Sequence, residues 1–268
     1  MNAATLDWAL PQIAAFTYTL PRLLAIFSVL PMFSRQALPG IMRMGVAGAL
    51  GLLLVPSMLE PTMSQDRTAM VIIGLALKEG LIGFTMGFLF ALPLWAFEAM
   101  GALIDNQRGA SVADTINPLT GHDTSPLGDL YSQAMLVYMI VTGAFMLILG
   151  AIYDSYVIWP VFSWWPQMQD GTAALILSQF DRMFRLAVLY GAPVILVMFL
   201  AEMGLALVSR FAPQLQVFFL AMPVKSGLAM FMFAIYTGLL FEYAGDLFFD
   251  IGNDVLRTMG SVLRPAAK

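Results

Sequence analysis

Cysteine is absent from this chain of 268 residues, and histidine occurs once, at His122. Without cysteine the protein forms no disulfide framework and no thiolate metal site, and one histidine excludes the usual histidine-pair metal sites. The sequence also lacks a phosphate-binding glycine loop, a zinc-protease helix motif and a serine-hydrolase elbow. These absences predict a protein that is not an enzyme and that has no metal or cofactor.

Charge is scarce as well. Charged residues make up 11% of the chain and hydrophobic residues 60%, and the mean hydropathy is +0.81. Soluble domains carry about 25% charged residues, so this composition predicts an integral membrane protein. The net charge is −4 and no block of Lys and Arg exists, which argues against a nucleic-acid partner. The first residues contain no basic region, and we expect no cleavable signal peptide.

Long apolar segments predict an all-α, multi-helix, membrane-associated fold. A membrane span needs about 20 apolar residues, and several segments are shorter or interrupted. Pro11, Pro21 and Pro31 recur every ten residues in the first segment and predict a kinked or broken helix there. The predicted apolar segments are Trp8–Phe33, Met44–Leu59, Ala69–Leu77 with Gly80–Phe97, Leu130–Tyr153, Leu186–Ala201 and Phe211–Phe241.

A few charges interrupt these segments. Lys78 and Glu79 split the third, Glu98 closes it, Glu202 ends the fifth, and Lys225 lies in the last. A charge that faces lipid at a helix centre costs about 2.5–3.5 kcal/mol on insertion scales. We therefore expect these side chains to face other helices or another subunit, to face a water-filled space, or to lie outside the hydrocarbon altogether.

The polar stretch Leu103–Gly128, LIDNQRGASVADTINPLTGHDTSPLG, is the longest interruption of the apolar pattern. Its turn-forming residues predict that it does not continue a helix, and bare backbone is not tolerated in lipid. It is expected to face water, line a cavity or pack against protein. An ordinary solvent loop is the simpler interpretation, but long loops are often functional. On a continuing helix, Glu98 and Asp105 would share a face as a conceivable acid/base pair. Ion pairing or hydrogen bonding with Arg108, or with a basic residue elsewhere, is the favoured interpretation.

Small residues and a row of acidic residues complete the pattern. Two glycine series, Gly45/Gly48/Gly51 and Gly80/Gly83/Gly87, permit close helix packing, either within the chain or between subunits. In the tail Phe241–Lys268, acidic residues recur every four positions and form one stripe on a helix. A solvated face is the favoured interpretation of this stripe, and a docking face for a basic partner or a polar conduit are the alternatives. The stripe consists of Glu242, Asp246, Asp250 and Asp254.

Two blocks of sequence are more specific than these patterns. The first comprises Lys78-Glu79-Gly80, Pro93–Asp114 (PLWAFEAMGALIDNQRGASVAD), the NPLTG of residues 117–121 and the SPLG of residues 125–128; the second is Ser209–Gly227, SRFAPQLQVFFLAMPVKSG. Both closely resemble the T subunit of the bacterial type III secretion export apparatus, which is related to the flagellar export protein FliR. The IDNQRG wording resembles the injectisome branch more than the flagellar one. With the hydropathy profile, the resemblance covers essentially the whole chain.

The resemblance implies a subunit that assembles with R- and S-type subunits into a pore-forming export gate in the bacterial inner membrane, partly raised toward the periplasm. Residues 1–185 would be R-like, and residues 186–268 an S-like helical hairpin that continues into a C-terminal amphipathic helix. Other implied partners are the substrate-switching export subunit, unfolded secreted proteins and membrane lipid. A hairpin tip in the cytoplasm would place the C-terminus on the opposite face of the membrane. The basic residues Arg257, Arg264 and Lys268 instead predict a cytoplasmic C-terminus.

The resemblance also implies two sites. The loop 106–122, within the wider region 105–128, would plug the pore, and a hairpin tip bounded by Pro213 and Pro223 would face the cytoplasmic entrance. For Lys225 alone, a side chain that snorkels at a helix end is the simpler interpretation. The predicted plug residues are Asp105, Asn106, Gln107, Arg108, Gly109, Ser111, Asp114, Asn117, Pro118 and His122; the predicted tip residues are Arg210, Pro213, Gln214, Gln216, Pro223 and Lys225.

Two other classes of function stay open at this stage. A stand-alone secondary transporter with a charged midplane site explains Lys78, Glu79, Glu98 and Glu202. It does not explain the polar stretch or the two family blocks. A purely structural membrane scaffold explains the glycine spacing but gives the polar stretch no role.

Overall fold

The computed structural model describes residues 3–34, 38–64, 68–109, 125–164, 172–212 and 217–262. These residues contain no strand, which confirms the predicted all-α class. One 3₁₀ turn, Pro31–Phe33, follows the first helix. The helices are α1 (Ala3–Val29), α2 (Gly40–Met63), α3 (Ala69–Arg108), α4 (Pro126–Val141), α5 (Ala144–Ile158), α6 (Thr172–Phe211) and α7 (Val217–Val262).

The predicted membrane class is also confirmed. Five described helices, α1, α2, α3, α6 and α7, are long and apolar enough to cross a membrane. The pair α4 and α5 passes the same test as one broken span, because the two helices meet at a bend of 77°. The break lies at Thr142 and Gly143, and Gly143 has φ +79°, a value that glycine adopts without strain. The sequence interpretation missed it, because it treated Leu130–Tyr153 as one segment.

Three helices are much longer than a single span, and they run through charges that interrupt the apolar segments. Helices α3 and α6 have 40 residues each and α7 has 46, so each extends at least about 60 Å, twice the thickness of a bilayer core. Lys78, Glu79 and Glu98 lie inside α3, and Glu202 lies inside α6. A charge that is paired with a neighbouring helix does not stop the helical hydrogen-bond ladder, so these residues mark contacts rather than ends.

The prolines also end fewer helices than predicted. Helix α1 continues through Pro11 and Pro21, and only Pro31 lies beyond a helix end, where it opens the 3₁₀ turn. Pro223, predicted to bound the hairpin tip, lies inside α7. The tail after Phe241 is the last part of α7 and not a separate helix. On it the side chains of Glu242, Asp246 and Asp250 are exposed.

Packing divides the chain into two compact units. The first comprises Met1–Ala91, Phe145–Ile176 and Asp250–Lys268, and the second comprises Leu92–Ala144 and Leu177–Phe249. The predicted division at residues 185 and 186 follows a family resemblance and not packing; it falls inside α6 and stays a prediction.

Helices α1 and α3 form the core of the first unit. A Cβ on Gly83 would overlap the backbone carbonyl of Arg22, and one on Gly87 would lie 2.9 Å from the carbonyl oxygen of Ile26. A Cβ on Gly51 of α2 would likewise lie 2.9 Å from the hydroxyl oxygen of Thr19. These three glycines therefore serve packing within the chain. Gly45 and Gly80 have open space where a Cβ would stand.

Aromatic residues form much of the core of the second unit. Phe97 of α3 stacks on Tyr190 of α6 at 5.3 Å between ring centroids, and Tyr190 stacks on Tyr243 of α7 at 5.9 Å. Helix α4 packs on α7 through Tyr131, whose ring lies 4.9 Å from that of Phe233 and whose hydroxyl pairs with Thr237 at 3.1 Å. This core holds the helices on both sides of the polar stretch in place.

Candidate functional site

Asp105 joins the two ends of the polar stretch. Its Oδ1 accepts a hydrogen bond from Arg108 Nε at 2.7 Å, one turn along α3. Its Oδ2 accepts from the Ser125 hydroxyl at 2.7 Å and from the Leu127 backbone N–H at 2.8 Å. The residue is 3% exposed. We call Asp105, Arg108, Ser125 and Leu127 the loop base, because one buried carboxylate connects the end of α3 to the start of α4.

Backbone packing brings these two helices together at the same place. A Cβ on Gly101 of α3 would stand 2.5 Å from the backbone nitrogen of Gly128 in α4. Only glycine permits this approach, because any side chain at residue 101 would overlap the α4 backbone. Ser125 caps α4 by accepting from the Gly128 N–H at 3.0 Å, and Pro126 occupies the first helical position. The loop base is therefore fixed by sequence-local capping and by close helix packing together.

The structure changes the interpretation of the predicted plug residues. The expectation that the whole of Leu103–Gly128 is non-helical is wrong at both ends: α3 continues to Arg108, and α4 begins at Pro126. Asp105, Asn106, Gln107 and Arg108 form the last turn of α3, which Gly109 ends with φ +83°. The predicted pairing of Asp105 with Arg108 is confirmed. Ser111, Asp114, Asn117, Pro118 and His122 lie outside the described residues.

A second group of polar residues is buried in the first unit, where α1, α3 and the end of α5 meet. Arg22, Lys78 and Glu79 form this buried charge cluster. Arg22 is 0% exposed; its Nε donates to Glu79 Oε2 at 2.7 Å, and its other nitrogens donate to the Ser155 hydroxyl and the Trp159 carbonyl, each at 2.9 Å. Its guanidinium also lies 4.1 Å from the centre of the Tyr156 ring.

Lys78 binds the chain just after α5. Its Nζ donates to the carbonyl oxygens of Pro160, Val161 and Ser163 and lies 2.8 Å from Glu79 Oε1. Among the described residues this Oε1 has no well-directed hydrogen bond, so its contact with Lys78 is mainly Coulombic. The two cations thus face one carboxylate and the carbonyl-rich C-terminal end of a helix, where positive charge is favoured.

Lys78 and Glu79 face other helices, as expected, and these helices belong to the same chain. The sequence interpretation missed Ser155, Tyr156 and Trp159 as their partners, and it noted Arg22 without assigning it a role. Arg22 lies between two prolines inside an apolar helix, and a buried cation at such a place needs a partner elsewhere. That signal indicates a buried pair, although the sequence interpretation did not use it, and no spacing in the sequence relates residue 22 to residue 155.

Glu98 and Glu202 have different surroundings. Glu98 is half-buried in α3, near Asp129 and Ser132 of α4. Glu202 lies on α6, and its Oε2 accepts from Lys225 Nζ of α7 at 3.2 Å. Lys225 is 9% exposed, so the interpretation of a snorkelling side chain is wrong. In the part of the chain that the structure describes, no group of three or more acidic or histidine side chains is arranged to hold a metal.

Helices α6 and α7 run antiparallel. Glu202 contacts Lys225, and Tyr190 contacts Tyr243, so partners on α7 follow in the reverse order. Arg210 lies in the last turn of α6, while Pro223 and Lys225 lie within α7. The predicted tip residues Pro213, Gln214 and Gln216 lie outside the described residues.

Comparison with known proteins identifies the family. Residues 13–251 match the family model described as bacterial export proteins, family 1. The chain is 40% identical over 232 residues to Yop proteins translocation protein T of Yersinia pestis, with 85% of this chain and 88% of that protein covered. It is 30% identical over 217 residues to the surface presentation of antigens protein SpaR of Salmonella typhimurium, with 80% of each covered. Over 236 residues it is 29% identical to the flagellar biosynthetic protein FliR of Bacillus subtilis, with 87% and 90% covered. The chain therefore belongs to family 1 of the bacterial export proteins, the T/FliR family of the type III export apparatus.

Proposed function

We propose that this membrane subunit of the type III export apparatus builds, with R- and S-type subunits, the protein-conducting pore of the bacterial inner membrane, and that residues 106–122 plug it. Unfolded secreted proteins are the substrates, and the substrate-switching export subunit binds at the cytoplasmic entrance. The injectisome branch is favoured, because identity to the Yersinia pestis protein is 40% and identity to the Bacillus subtilis flagellar protein is 29%.

The observation that carries the proposal is the closed loop base. The end of α3 and the start of α4 lie side by side, because Asp105 of α3 binds Ser125 and Leu127. A polar excursion with joined ends can be displaced without unwinding the two helices that carry it. Those helices stay packed through Gly101 and Gly128. This is the frame that a plug needs: the two helices that carry it stay closed when it is displaced.

The loop base also refines the roles of Asp105 and Arg108. Both are among the predicted plug residues. Asp105 is committed to the loop base through three hydrogen bonds, so we assign it to the frame. The contacts that release on opening belong to the residues beyond Gly109.

The charges of the first unit support a subunit of an assembly over a stand-alone transporter. A transport site needs polar groups that a substrate or ion can bind. In the buried charge cluster Arg22 and Lys78 already bind Glu79, Ser155 and backbone carbonyls. Such a cluster stabilises the fold, because its charges are already paired with one another.

The α6–α7 pair supports the proposed S-like part. Two long antiparallel helices with a short connection between Phe211 and Val217 form a hairpin. Large apolar side chains are exposed along both helices, among them Phe199 and Phe231. In the proposed gate, these surfaces contact neighbouring subunits or lipid.

Deletion of Ser111–Leu119 tests the plug. Co-expressed with its R- and S-type partners, the shortened protein should let small ions pass through the inner membrane, because the obstruction is gone while the loop base is kept. Conductance of the purified gate in planar bilayers measures this. A replacement of the same nine residues by a Gly/Ser segment of equal length is the control for loop length. If conductance of the deletion variant equals that of the unmodified gate, the plug assignment is wrong.

Native mass spectrometry of the detergent-extracted protein tests the assembly separately. The proposed gate requires co-purification with small helical subunits in unequal numbers. A chain that appears alone, or as a symmetric oligomer of itself, would support the transporter alternative instead.

A further inference from the structure

An apolar groove lies between α4 and α7 in the second unit. Its volume is about 370 Å³, and small-molecule sites in proteins range over about 300–1,000 Å³. The rings of Tyr131 and Phe233, which are both buried, form its floor. Leu130 and Met230, which are both exposed, stand at its opening. The groove is therefore a concave apolar site with an entrance from outside the unit.

The groove offers hydrocarbon surface and no free side-chain donor. Among the described residues that line it, none is charged, and the two hydroxyl groups belong to Tyr131 and Thr237. The Thr237 hydroxyl donates its one hydrogen to the Phe233 carbonyl at 2.6 Å, so the Tyr131 hydroxyl donates to Thr237 Oγ1 at 3.1 Å. Both hydrogens are used within the chain. A ligand that fits is therefore apolar over the whole length that the groove buries.

The position of the groove along α7 matches the bilayer core. On α7 the groove is lined within Met230–Phe241, inside the uncharged stretch between Lys225 and Glu242. This stretch extends about 25 Å along a helix, close to the core thickness of about 30 Å. It belongs to the candidate span Leu220–Asp250. Acyl chains are the molecules that a groove meets at this depth.

The charges nearest to the groove on α4 belong to another side of that helix. Asp129 and Ser132 lie near Glu98 of α3. Because successive residues of a helix are about 100° apart, Asp129 and Ser132 lie on nearly the opposite side of α4 from Leu130 and Ala134, which line the groove. Helix α4 therefore presents its polar side to α3 and its apolar side to the groove.

We propose that this groove is a lipid site that holds one acyl chain of a membrane phospholipid. The inference goes beyond the proposed function, because it concerns neither the plug nor the secreted protein. A neighbouring subunit is the competing occupant. Protein interfaces carry about one hydrogen bond per 100–200 Å², and the side chains of the groove supply none. A hydrocarbon chain needs none and fills the space that the side chains of α4 and α7 leave open.

Filling the groove tests the site. Ala234 lines the groove and is exposed, so Ala234→Phe adds a ring there without disturbing the core. Displacing about three methylene groups of a bound chain should weaken binding about fiftyfold. Native mass spectrometry of the full chain, released from phosphatidylcholine nanodiscs into detergent, should then show one retained lipid fewer. Ile235→Phe is the matched control, because it adds the same ring at an exposed neighbouring position outside the lining.

Tyr131→Phe tests the chemistry of the site. It removes a hydroxyl and keeps the ring, so a chain held by hydrocarbon contact should stay bound. Circular dichroism measures whether each variant keeps the helix content of the unmodified chain. Loss of the lipid in Tyr131→Phe would show that a hydroxyl holds the ligand. Equal retention by Ala234→Phe and Ile235→Phe would show that the lipid binds elsewhere, and either result would overturn the proposal.

Photolabelling of the unmodified chain identifies the occupant. Phosphatidylcholine with a diazirine in the middle of one acyl chain should label Leu130 and Met230 more strongly than Ile235, although Ile235 is the most exposed of the three. The preference should persist in membranes that contain co-expressed R- and S-type subunits. Uniform labelling would indicate only the lipid shell around the protein, and loss of labelling on assembly would show that a subunit covers the groove. Either outcome would contradict the lipid site and leave the plug deletion test unaffected.

Discussion

The ion pairs of the two units differ in how completely the protein encloses them. In the first, Arg22 is completely buried and binds a carboxylate, a hydroxyl, a carbonyl oxygen and an aromatic face. In the second, Glu202 and Lys225 make one contact at 3.2 Å, and 49% of the Glu202 side chain is exposed. Both pairs join neighbouring helices, but only the first is enclosed by protein.

The difference indicates which contacts form the frame and which can change. Removing one member of a buried ion pair leaves an uncompensated charge and costs about 3–5 kcal/mol. An exposed pair contributes about 0–1 kcal/mol because water screens it. The buried charge cluster therefore holds α1, α3 and the chain after α5 in one arrangement. The Glu202–Lys225 pair is open to water on the Glu202 side, so it is expected to contribute less than the enclosed pair.

The largest effect is expected for Glu79→Leu. The substitution leaves the fully buried Arg22 without its carboxylate and removes the partner of the partly exposed Lys78, so the free energy of unfolding in detergent should fall by about 3–5 kcal/mol. Thermal unfolding of the purified chain measures this. Glu242→Leu, at an exposed position of α7, is the matched control and should change stability little. Equal stabilities of the two variants would show that the cluster does not hold the helices together.

Asp105→Ala should have the next largest effect. It removes the acceptor of three hydrogen bonds and leaves the buried Leu127 N–H unpaired, which together should cost about 2–3 kcal/mol. Limited proteolysis should then cleave the chain between α3 and α4 several times faster. Asp129→Ala serves as the control, because Asp129 is exposed on the first turn of α4. If both variants are cleaved at the same rate, Asp105 does not close the loop base.

Gly83→Ala tests the frame through its backbone instead of its charges. A methyl group at residue 83 overlaps the carbonyl oxygen of Arg22, so α1 and α3 must separate, at a cost of about 1–3 kcal/mol. Gly80→Ala, one turn away with open space around it, should be neutral or stabilise the helix by up to about 1 kcal/mol. The difference between their unfolding midpoints measures the packing. A Gly83→Ala variant as stable as Gly80→Ala would contradict the close approach of the two helices.

Local sequence was enough to predict the helical class, the membrane character and the pairing of Asp105 with Arg108. Hydropathy is a property of short windows, and a pair three residues apart on a helix needs no tertiary information. The same reasoning ended apolar segments at Glu98 and Glu202, although the helices continue past both residues. A charge lowers local hydropathy whether it ends a helix or is paired on its side, so hydropathy does not separate the two cases.

The remaining parts of the site depend on contacts between distant residues. Asp105 binds Leu127, 22 residues later in the sequence, and Arg22 binds Ser155, 133 residues later. The contact of Gly101 with Gly128 likewise depends on how α3 and α4 cross. The family resemblance located the polar stretch as a candidate plug, but the loop base that closes it emerged only from the packed helices.

The smallest effect is expected for Glu202→Gln. Half of the Glu202 side chain is exposed, so water already screens the charge of this carboxylate. The free energy of unfolding should therefore fall by about 0–1 kcal/mol. The double variant Glu202→Gln with Lys225→Met should lose little more than Lys225→Met alone, since each change removes the same pair. Thermal unfolding of the three variants beside Glu79→Gln measures both pairs on one scale. If Glu202→Gln destabilises the chain as much as Glu79→Gln does, exposure of the Glu202 carboxylate does not weaken the pair, and the hairpin is held as rigidly as the buried charge cluster.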